Sequence, residues 1–412
     1  MTEVATRTPT SPTLRVRYRL TPWWVRVLVI FVASRVVTTI ILLVYAGMQA
    51  ANPWTGAHPD YFSFAHIWDG TWYNFVATYG YPSVLPYDAV GHITQNTWAF
   101  LPLYPYLSGG LSAITQLPFD IVGVFVSVGF AAGTALVFYK LLVNQLGSST
   151  ALFSVVLFCF APLSPIYQVD YAEPMGLFFL ALALLYLQRR QYWIMLIFVA
   201  LVSFTRPTGL AFALALGLHV IYRFVVRKRD PFPPRELATA VAATVISAAL
   251  GYAWPFIAGL VTGVPDAYTA TELSWRAPYV ANFLDLVPFQ PWIQGANWWM
   301  GRIGVAGQAI PVFLLVLAVA AYFALLFTPW AKRLGVDLRL WIASWAIYIL
   351  AVFFPQSSVF RIFVPIFPAL GAFAQPKSKI YRVILVLLFI AGQVAWVYMV
   401  WWFSDSDDWT PP

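Results

Sequence analysis

The sequence predicts an all-α, polytopic membrane protein, and three observations lead to that fold class. Of the 412 residues, 61% are hydrophobic and only 10% are charged, a composition outside the range of soluble domains. The apolar residues gather in runs of about 20, the length that crosses a bilayer as a helix. The charged residues fall between these runs, and the basic ones concentrate in alternate loops.

Each apolar run predicts one membrane-spanning helix, and about eleven can be traced along the chain. Prolines such as Pro162, Pro207 and Pro365 interrupt or border several runs, so those helices are expected to be short or broken. The predicted spans cover residues 23–48, 120–141, 150–168, 174–188, 192–205, 208–222, 237–262, 308–328, 339–355, 362–375 and 381–402.

The distribution of charge predicts the orientation of the chain. With the N-terminus in the cytoplasm, 19 of the 24 Lys and Arg residues fall at inner termini and loops, while 12 of the 16 acidic residues fall outside. This pattern follows the positive-inside rule. The net charge of +8 is therefore a consequence of topology, and no nucleic-acid partner is indicated.

A single membrane domain is expected over residues 21–403, since no internal repeat or linker divides the chain. A disordered cytoplasmic tail, residues 1–20, would precede it, and a short acidic outer tail, residues 404–412, would follow. Two outer loops, about 49–119 and about 263–307, are rich in Trp, Tyr and Pro, and aromatic side chains suit the membrane–water interface. Interfacial helices are therefore expected in the first outer loop.

One acidic residue stands among aromatic residues in the first outer loop, in the stretch IWDGTWYNFVATYGYP. Asp69 before Gly-Thr predicts a helix start, because Asp is a favoured N-cap residue, and Gly80 predicts the helix end. Trp72, Tyr73 and Val76 then share the helix face of Asp69. An ionised carboxylate at an aromatic cleft is a candidate general base, and a simple helix cap is the alternative.

Several segments of the chain resemble PIG-V-type mannosyltransferases, polytopic enzymes of the GT-C class that use a polyprenyl-phosphate sugar. The segments that carry the resemblance are WD at 68–69, GYP at 80–82, WAFLPLYP at 98–105, YAE at 171–173, TRPTG at 205–209 and RIFVPIFP at 361–368. The likeness extends from about residue 33 to about residue 370. Ala172 stands where the family has Ser, and Leu101 where it has a second Phe, which leaves the subfamily and the acceptor open.

The resemblance implies an inverting α-mannosyltransferase that moves mannose from polyprenyl-phosphate-mannose to a glycolipid or lipoglycan acceptor. In such enzymes the catalytic carboxylate belongs to the first outer loop, which makes Asp69 the expected catalytic base. The expected location is a bacterial plasma membrane, with the active site and the C-terminus on the outer face and membrane lipids as neighbours.

Transfer from a lipid phosphate also requires positive charge for the departing phosphate, and the forked donors of arginine suit that task. Arg361 and Arg206 lie near outer ends of predicted spans and are the expected donor-phosphate ligands. Structural ion pairs with Asp170 or Glu173 are the alternative for both. Arg35 lies deeper, in the first span, and is expected to bond to backbone carbonyls of neighbouring helices.

Other residues are expected to contact substrate. Asp170 and Glu173 flank Tyr171 at a span entrance and could orient acceptor hydroxyls, assist Asp69 or bind a cation. His66 precedes Asp69 by one helical turn and could orient it, although exposure in the loop is the simpler interpretation. The aromatic candidates for contact with a sugar are Tyr73, Trp98 and Tyr104.

No metal or cofactor is expected, with a divalent cation kept as an alternative. The spacing of His58, His66 and His92 matches no zinc motif. Within the predicted membrane domain, residues 21–403, the Asp-x-Asp motif of nucleotide-sugar enzymes does not occur, in agreement with a lipid-linked donor. Arg276 and Arg302, in the second outer loop, are expected to be solvated.

Two other functions remain open on the sequence. A carrier or flippase of a lipid-linked sugar is the alternative from another class, but such proteins usually hold polar groups at the membrane midplane within paired repeats. The acidic residues here crowd at the predicted outer surface, which favours an enzyme. Within enzymes, the sugar could also be arabinose or glucose from the same kind of carrier.

Overall fold

A computed structural model describes residues 21–403, and the chain within these bounds is helical apart from its loops. The predicted tails, residues 1–20 and 404–412, lie outside the described residues. One isolated antiparallel bridge joins Tyr87 and Ile93, and the described part holds no longer strand. The prediction of an all-α fold is therefore confirmed.

The helices follow one another along the whole described chain. The α-helices are α1 (Trp23–Met48), α2 (Tyr61–Ala65), α3 (Asp69–Tyr79), α4 (Leu103–Thr115), α5 (Phe119–Leu146), α6 (Ser148–Phe160), α7 (Glu173–Gln188), α8 (Tyr192–Ser203), α9 (Gly209–Val226), α10 (Pro234–Thr262), α11 (Ala267–Ser274), α12 (Gln290–Arg302), α13 (Ala309–Leu325), α14 (Pro329–Lys332), α15 (Val336–Val352), α16 (Val359–Ile362), α17 (Leu370–Phe373) and α18 (Lys379–Trp396). Short 3₁₀ helices cover Thr97–Ala99, Ser164–Gln168 and Val364–Ala369, and a π-helical turn covers Val397–Trp401.

Five of the described helices are long and apolar enough to cross a membrane: α1, α5, α9, α10 and α18 with its π-helical turn. Their bounds lie close to those of the corresponding predicted spans. Helices α6, α7, α8 and α13 are apolar but shorter. The total of about eleven spans therefore stays a prediction.

Two predicted spans are not continuous α-helices. In the span predicted at 150–168, helix α6 ends before Pro162, and an irregular segment with one 3₁₀ helix follows. The span predicted at 362–375 consists of a 3₁₀ helix followed by α17. Pro365 and Pro368 lack the amide protons that a longer α-helix requires, which explains the break.

Arg35 of α1 binds the segment in which the first of these helices is interrupted. Its guanidinium donates to the backbone oxygens of Ser164 at 2.8 Å and of Cys159 at 2.7 Å. The carbonyl of Cys159 lies in the last turn of α6 and that of Ser164 lies beyond the helix end, where the regular hydrogen bonds of the helix are missing. The prediction that Arg35 bonds to backbone carbonyls is confirmed.

Helices α9 and α10 cross in close contact through two glycines. A β-carbon at Gly209 would lie 2.6 Å from the Cα of Gly251, and one at Gly251 would lie 2.6 Å from the backbone nitrogen of Leu210. Only a residue without a side chain permits this approach. The crossing forms part of the wall of the cavity described below.

The helices of the first outer loop pack onto the helix bundle. Tyr73 of α3 and Tyr104 of α4 are buried together against Phe119 of α5, and Trp98 is buried against Trp254 of α10. Packing within the protein, rather than contact with a membrane surface, therefore explains these three rings. The helices expected in this loop are present, and their interfacial position stays a prediction.

Charged side chains collect at both ends of the bundle. At one end, Arg206 precedes α9 and pairs with Glu173. Toward the other end of α9, Arg223 pairs with Glu236. Helix α9 has 18 residues, which corresponds to a rise of about 27 Å. The two polar ends are thus separated by about the thickness of a membrane core.

Candidate active site

Helix α3 begins at Asp69, directly after a residue with an unusual backbone conformation. Trp68 has a φ of 65°, which is costly for a bulky residue and is found most often at functional sites. Trp68, the N-cap residue, makes no capping hydrogen bond with its side chain. The backbone amide of Asp69 donates to the Tyr171 hydroxyl at 3.2 Å. The predicted helix start and the end at Gly80 are confirmed, whereas the prediction that Asp69 is an N-cap is wrong.

The Asp69 carboxylate instead belongs to a cluster of four charged side chains. Arg361 Nη1 donates to Asp69 Oδ2 and, at 3.1 Å, to Glu173 Oε1. Arg206 pairs with the same oxygen of Glu173 and donates to the Tyr73 hydroxyl at 3.3 Å. Two carboxylates and two guanidinium groups therefore meet at one point, although they lie far apart in the sequence.

Each charged residue of this cluster lies where a helix begins or is interrupted. Asp69 and Glu173 are the first residues of α3 and α7. Arg206 lies in the turn between α8 and α9, next to Pro207, and Arg361 lies in the four-residue helix α16. Interrupted helices let these side chains reach one end of the bundle, where each charge finds a partner.

Burial and ion pairing shift the pKa values of the two arginines in opposite directions. Burial lowers the pKa of Arg361, but the carboxylates of Asp69 and Glu173 outweigh it and the net pKa lies above the usual value. Burial likewise lowers the pKa of Arg206, and Glu173 outweighs it. The Tyr171 ring lies 5.3 Å from the guanidinium carbon of Arg361 and adds a cation–π contact. Both arginines therefore remain charged.

A cavity of about 460 Å³ adjoins the cluster. Asp69, Glu173, Arg206 and Arg361 line its charged end. Helices α7, α9, α10 and α15 supply much of the remaining wall, which includes the apolar side chains of Leu177, Leu180, Leu210, Trp345 and Ile349. The cavity is thus suited to a ligand with a charged head and an apolar chain.

A separate groove of about 550 Å³ lies on the other side of the segment that carries Arg361. Its lining is apolar and comes from the end of α6, from residues 360–373 and from α18. Among the residues that the structure describes, no charged side chain lines this groove. It can hold apolar chains but offers no group for catalysis.

Asp170 lies behind the cluster, in a second polar group. Its side chain is 0% exposed, accepts a hydrogen bond from the Tyr104 hydroxyl at 2.5 Å, and lies 2.6 Å from Nδ1 of His66. Burial raises the pKa of Asp170, and the contacts with His66 and Tyr104 oppose that rise only in part. This group ties the start of the first outer loop to the segment before α7.

These contacts show where the predicted residues lie. Asp170 and Tyr104 are fully buried and do not line the cavity, and their contact with substrate stays a prediction. His66 is turned toward Asp170 rather than toward Asp69 or toward solvent. Of the two predicted pairs for the arginines, only the one with Glu173 forms.

The aromatic candidates also lie behind the cavity rather than on its wall. Trp98 is buried, and its Nε1 donates to the backbone oxygen of Pro82 at 3.0 Å. Its contact with a sugar stays a prediction. Tyr73 is buried as well, and its hydroxyl reaches Arg206, so it supports the charged cluster. The aromatic side chains that line the cavity include Phe100 and Trp275.

Two cavity residues were not predicted for the site. Glu272 of α11 lines the cavity, as does Tyr268, and burial raises the pKa of Glu272 to about 7 although Tyr268 opposes that rise. Arg276 also lines the cavity and is only 4% exposed, so the prediction that it is solvated is wrong. Their spacing of four residues, which in a continuous helix would place both on one face, is the signal that could have linked them, although α11 ends at Ser274.

The described residues contain no group of three or more His, Cys, Asp or Glu side chains arranged to hold a metal ion. Asp69 and Glu173, the two carboxylates of the cluster, share Arg361. The arrangement therefore offers acid–base chemistry and the recognition of an anion.

No protein-family model and no curated protein matched the chain. Among solved structures, the chain is similar to the oligosaccharyltransferase of Archaeoglobus fulgidus. The apo form gives a TM-score of 0.45 at 14% identity over 93% of this chain and 56% of that one. The complex with an inhibitory peptide and a dolichol-phosphate gives 0.40 at 13% identity over 89% and 55%. The complex with Zn and sulfate gives 0.43 at 14% identity over 90% and 54%.

This chain spans about half the length of those archaeal proteins. Likeness of this degree carries no conclusion about chemistry. The function proposed below rests on the side chains of this protein and on the resemblance of its outer-loop segments.

Proposed function

We propose that this protein is a membrane glycosyltransferase of the GT-C class, which transfers a sugar from a polyprenyl-phosphate carrier with Asp69 as the general base. The proposal is carried by the cavity in which Asp69 and arginine side chains adjoin apolar helix walls. A polyprenyl-phosphate sugar divides in the same way into a charged head and an apolar chain. The resemblance of the outer-loop segments supports mannose as the sugar and a glycolipid or lipoglycan as the acceptor, on the outer face of a bacterial plasma membrane.

In the proposed reaction, Asp69 removes the proton of the acceptor hydroxyl. The hydroxyl oxygen forms a bond to the anomeric carbon while the bond from that carbon to the phosphate oxygen breaks. The electron pair leaves with polyprenyl phosphate, whose negative charge the arginines of the cavity offset. Because phosphate leaves as an anion, the reaction requires no second carboxylic acid of the kind that glycoside hydrolases use. A single displacement inverts the anomeric configuration.

Glu173 has a supporting role in this proposal. One of its oxygens receives both Arg206 and Arg361, which holds the two guanidinium groups at the charged end of the cavity. Arg361 in turn orients the Asp69 carboxylate. A base held in this way keeps its position while the acceptor approaches.

The first test compares the purified wild type with Asp69→Asn. Each is given radiolabelled polyprenyl-phosphate-mannose and a crude lipid extract, and labelled lipid product is counted. We expect Asp69→Asn to bind the donor but to lose at least about 100-fold in transfer rate, because it removes the base. Asp88→Asn, an exposed residue of the same loop, is the matched control and should retain the wild-type rate.

Three other results would redirect the proposal. Retention of most activity by Asp69→Asn would remove Asp69 from the chemistry and direct attention to Glu173. Transfer only from arabinose- or glucose-bearing donors would change the sugar but keep the reaction. No transfer by the wild type, together with movement of labelled lipid across sealed vesicles, would establish the carrier in place of the enzyme.

A further inference from the structure

Arg276 differs from the other two arginines of the cavity in the partners of its guanidinium group. Its Nη2 makes two long hydrogen bonds, to the backbone oxygen of Asp285 at 3.3 Å and to Oε1 of Gln294 at 3.4 Å. Within residues 21–403, its Nε and Nη1 have no hydrogen-bond partner. No carboxylate of that part of the chain forms an ion pair with it, whereas Arg206 and Arg361 are both paired.

Burying a guanidinium group with so few partners costs free energy unless a further partner binds it. Arg276 is 96% buried by accessible surface, since only 4% remains exposed, and a buried charge needs an opposite charge or full hydrogen bonding. Burial lowers the pKa of Arg276, and the charge of Asp285 opposes that effect only in part. The surroundings of Arg276 therefore call for an anion, and the described protein residues do not supply one.

Asp285 is the acidic residue whose charge acts on Arg276, but Arg276 reaches only its backbone oxygen. The Asp285 carboxylate instead accepts a hydrogen bond from the side-chain amide of Asn282 at 3.4 Å. The second outer loop thus presents to the cavity a buried, forked donor that no described carboxylate pairs with. Planar bidentate donors of this kind match the oxygen atoms of a phosphate group.

We propose that Arg276 binds the phosphate group of the lipid-linked donor. This inference rests on the proposed function and adds a residue to it. Arg276 holds the phosphate from the second outer loop. Arg206 and Arg361 add positive charge while they remain in their ion pairs. Asp69 therefore keeps its arginine partner when the donor binds. The base and the phosphate anchor then come from different outer loops, on the wall of one cavity.

The test measures binding without any transfer reaction. Purified full-length protein in detergent is titrated with radiolabelled undecaprenyl phosphate and, separately, with undecaprenol, which has the same chain and no phosphate. The variants are Arg276→Gln, Arg276→Lys and, as a matched control, Arg302→Gln, an exposed arginine of the same loop. Thermal unfolding of each variant is recorded beside the titrations.

We expect Arg276→Gln to weaken the binding of undecaprenyl phosphate about tenfold to a hundredfold and to leave the binding of undecaprenol unchanged, because only the charged hydrogen bonds are lost. Arg276→Lys should recover part of the loss, since it keeps the charge without the fork. Arg302→Gln should bind both lipids like the wild type.

Wild-type affinity of folded Arg276→Gln for undecaprenyl phosphate would overturn the inference, as would an equal loss for both lipids. If Arg276→Gln does not fold, Arg276→Lys decides: a loss confined to the phosphate-bearing lipid supports the inference, and wild-type binding of both lipids overturns it. Failure of the proposed function is distinguishable from these results. Loss of phosphate binding by Arg276→Gln together with full activity of Asp69→Asn would keep the anchor and remove the proposed base.

Discussion

The side chain of Asp69 shows how a carboxylate in an apolar chain can be kept charged. Its partner Arg361 also holds Glu173, so one guanidinium group offsets two acidic residues. Arg206 supplies the remaining positive charge through Glu173. Because each charge is largely removed from water, the cost of burial is recovered only while the whole set of contacts is intact.

The two arginines of the cluster are expected to differ in their contributions to stability. Arg361→Gln leaves Asp69 without an ion pair and should lower the free energy of unfolding by about 3 kcal/mol. Arg206→Gln leaves both carboxylates paired with Arg361 and should cost about 1 kcal/mol. Thermal unfolding of the detergent-solubilised variants, with exposed Arg302→Gln as the control, measures the difference. Equal losses for Arg361→Gln and Arg206→Gln would show that the cluster does not act through Arg361.

At the scale of helices, the cluster depends on how the segment before α7 packs against α5. Asp170 approaches Gly123 of α5 so closely that a β-carbon at Gly123 would lie 1.9 Å from its Oδ1 atom. The same carboxylate bonds to Tyr104 and contacts His66. A glycine in α5 thus allows the buried acid to join the first outer loop to the start of α7, the helix that Glu173 begins.

Gly123→Ala is therefore expected to displace Asp170 and to destabilise the protein by about 1–3 kcal/mol, because the added methyl group has no space. Gly129→Ala, on the same helix, meets no atom within 4 Å and should stabilise the protein by up to about 1 kcal/mol through helix propensity. Thermal unfolding of the two variants measures these opposite effects.

The cause of the Gly123→Ala effect can be tested by a second substitution. In an Asp170→Ala background the carboxylate is absent, so the added methyl group of Gly123→Ala should cost little. The same cost in both backgrounds would show that the methyl group disturbs something other than Asp170.

At the scale of the whole molecule, the protein is an apolar helix bundle with polar groups at its two ends. The candidate site lies at one end, and the pairs of Arg223 with Glu236 and of His219 with Asp337 lie toward the other. The positive-inside rule predicts that the site end faces outward. The arrangement would give the site access to lipid through the bundle and to water through the outer loops.

This orientation can be measured by cysteine labelling. Val90→Cys, in the first outer loop at a position 75% exposed, should react with a membrane-impermeant maleimide in sealed right-side-out vesicles. Lys228→Cys, in an exposed loop at the other end, should react only after the vesicles are opened. The native Cys159 is fully buried and should stay unlabelled. The reverse labelling pattern would invert the predicted topology.

Much of the charged cluster could be predicted because charge is rare and costly in an apolar chain. Arg206 and Arg361 stood out as basic residues away from the groups predicted to be cytoplasmic, and Asp69 stood out among aromatic residues. Arg276 was equally unusual by position, but a loop residue gives no sign of burial in the sequence. The burial of Trp98 was not predicted for the same reason, since nothing local shows that its loop folds back against α10.

The amino-acid sequence by itself determined that this protein is a helical membrane protein with charge concentrated in its loops and helix ends, because hydrophobicity and charge act locally and can be summed along the chain. Only the tertiary structure decided the partners: Arg361 for Asp69, His66 for Asp170, and no ion pair for Arg276 among the described residues. Each pairing depends on where broken helices end in space, which no local pattern specifies.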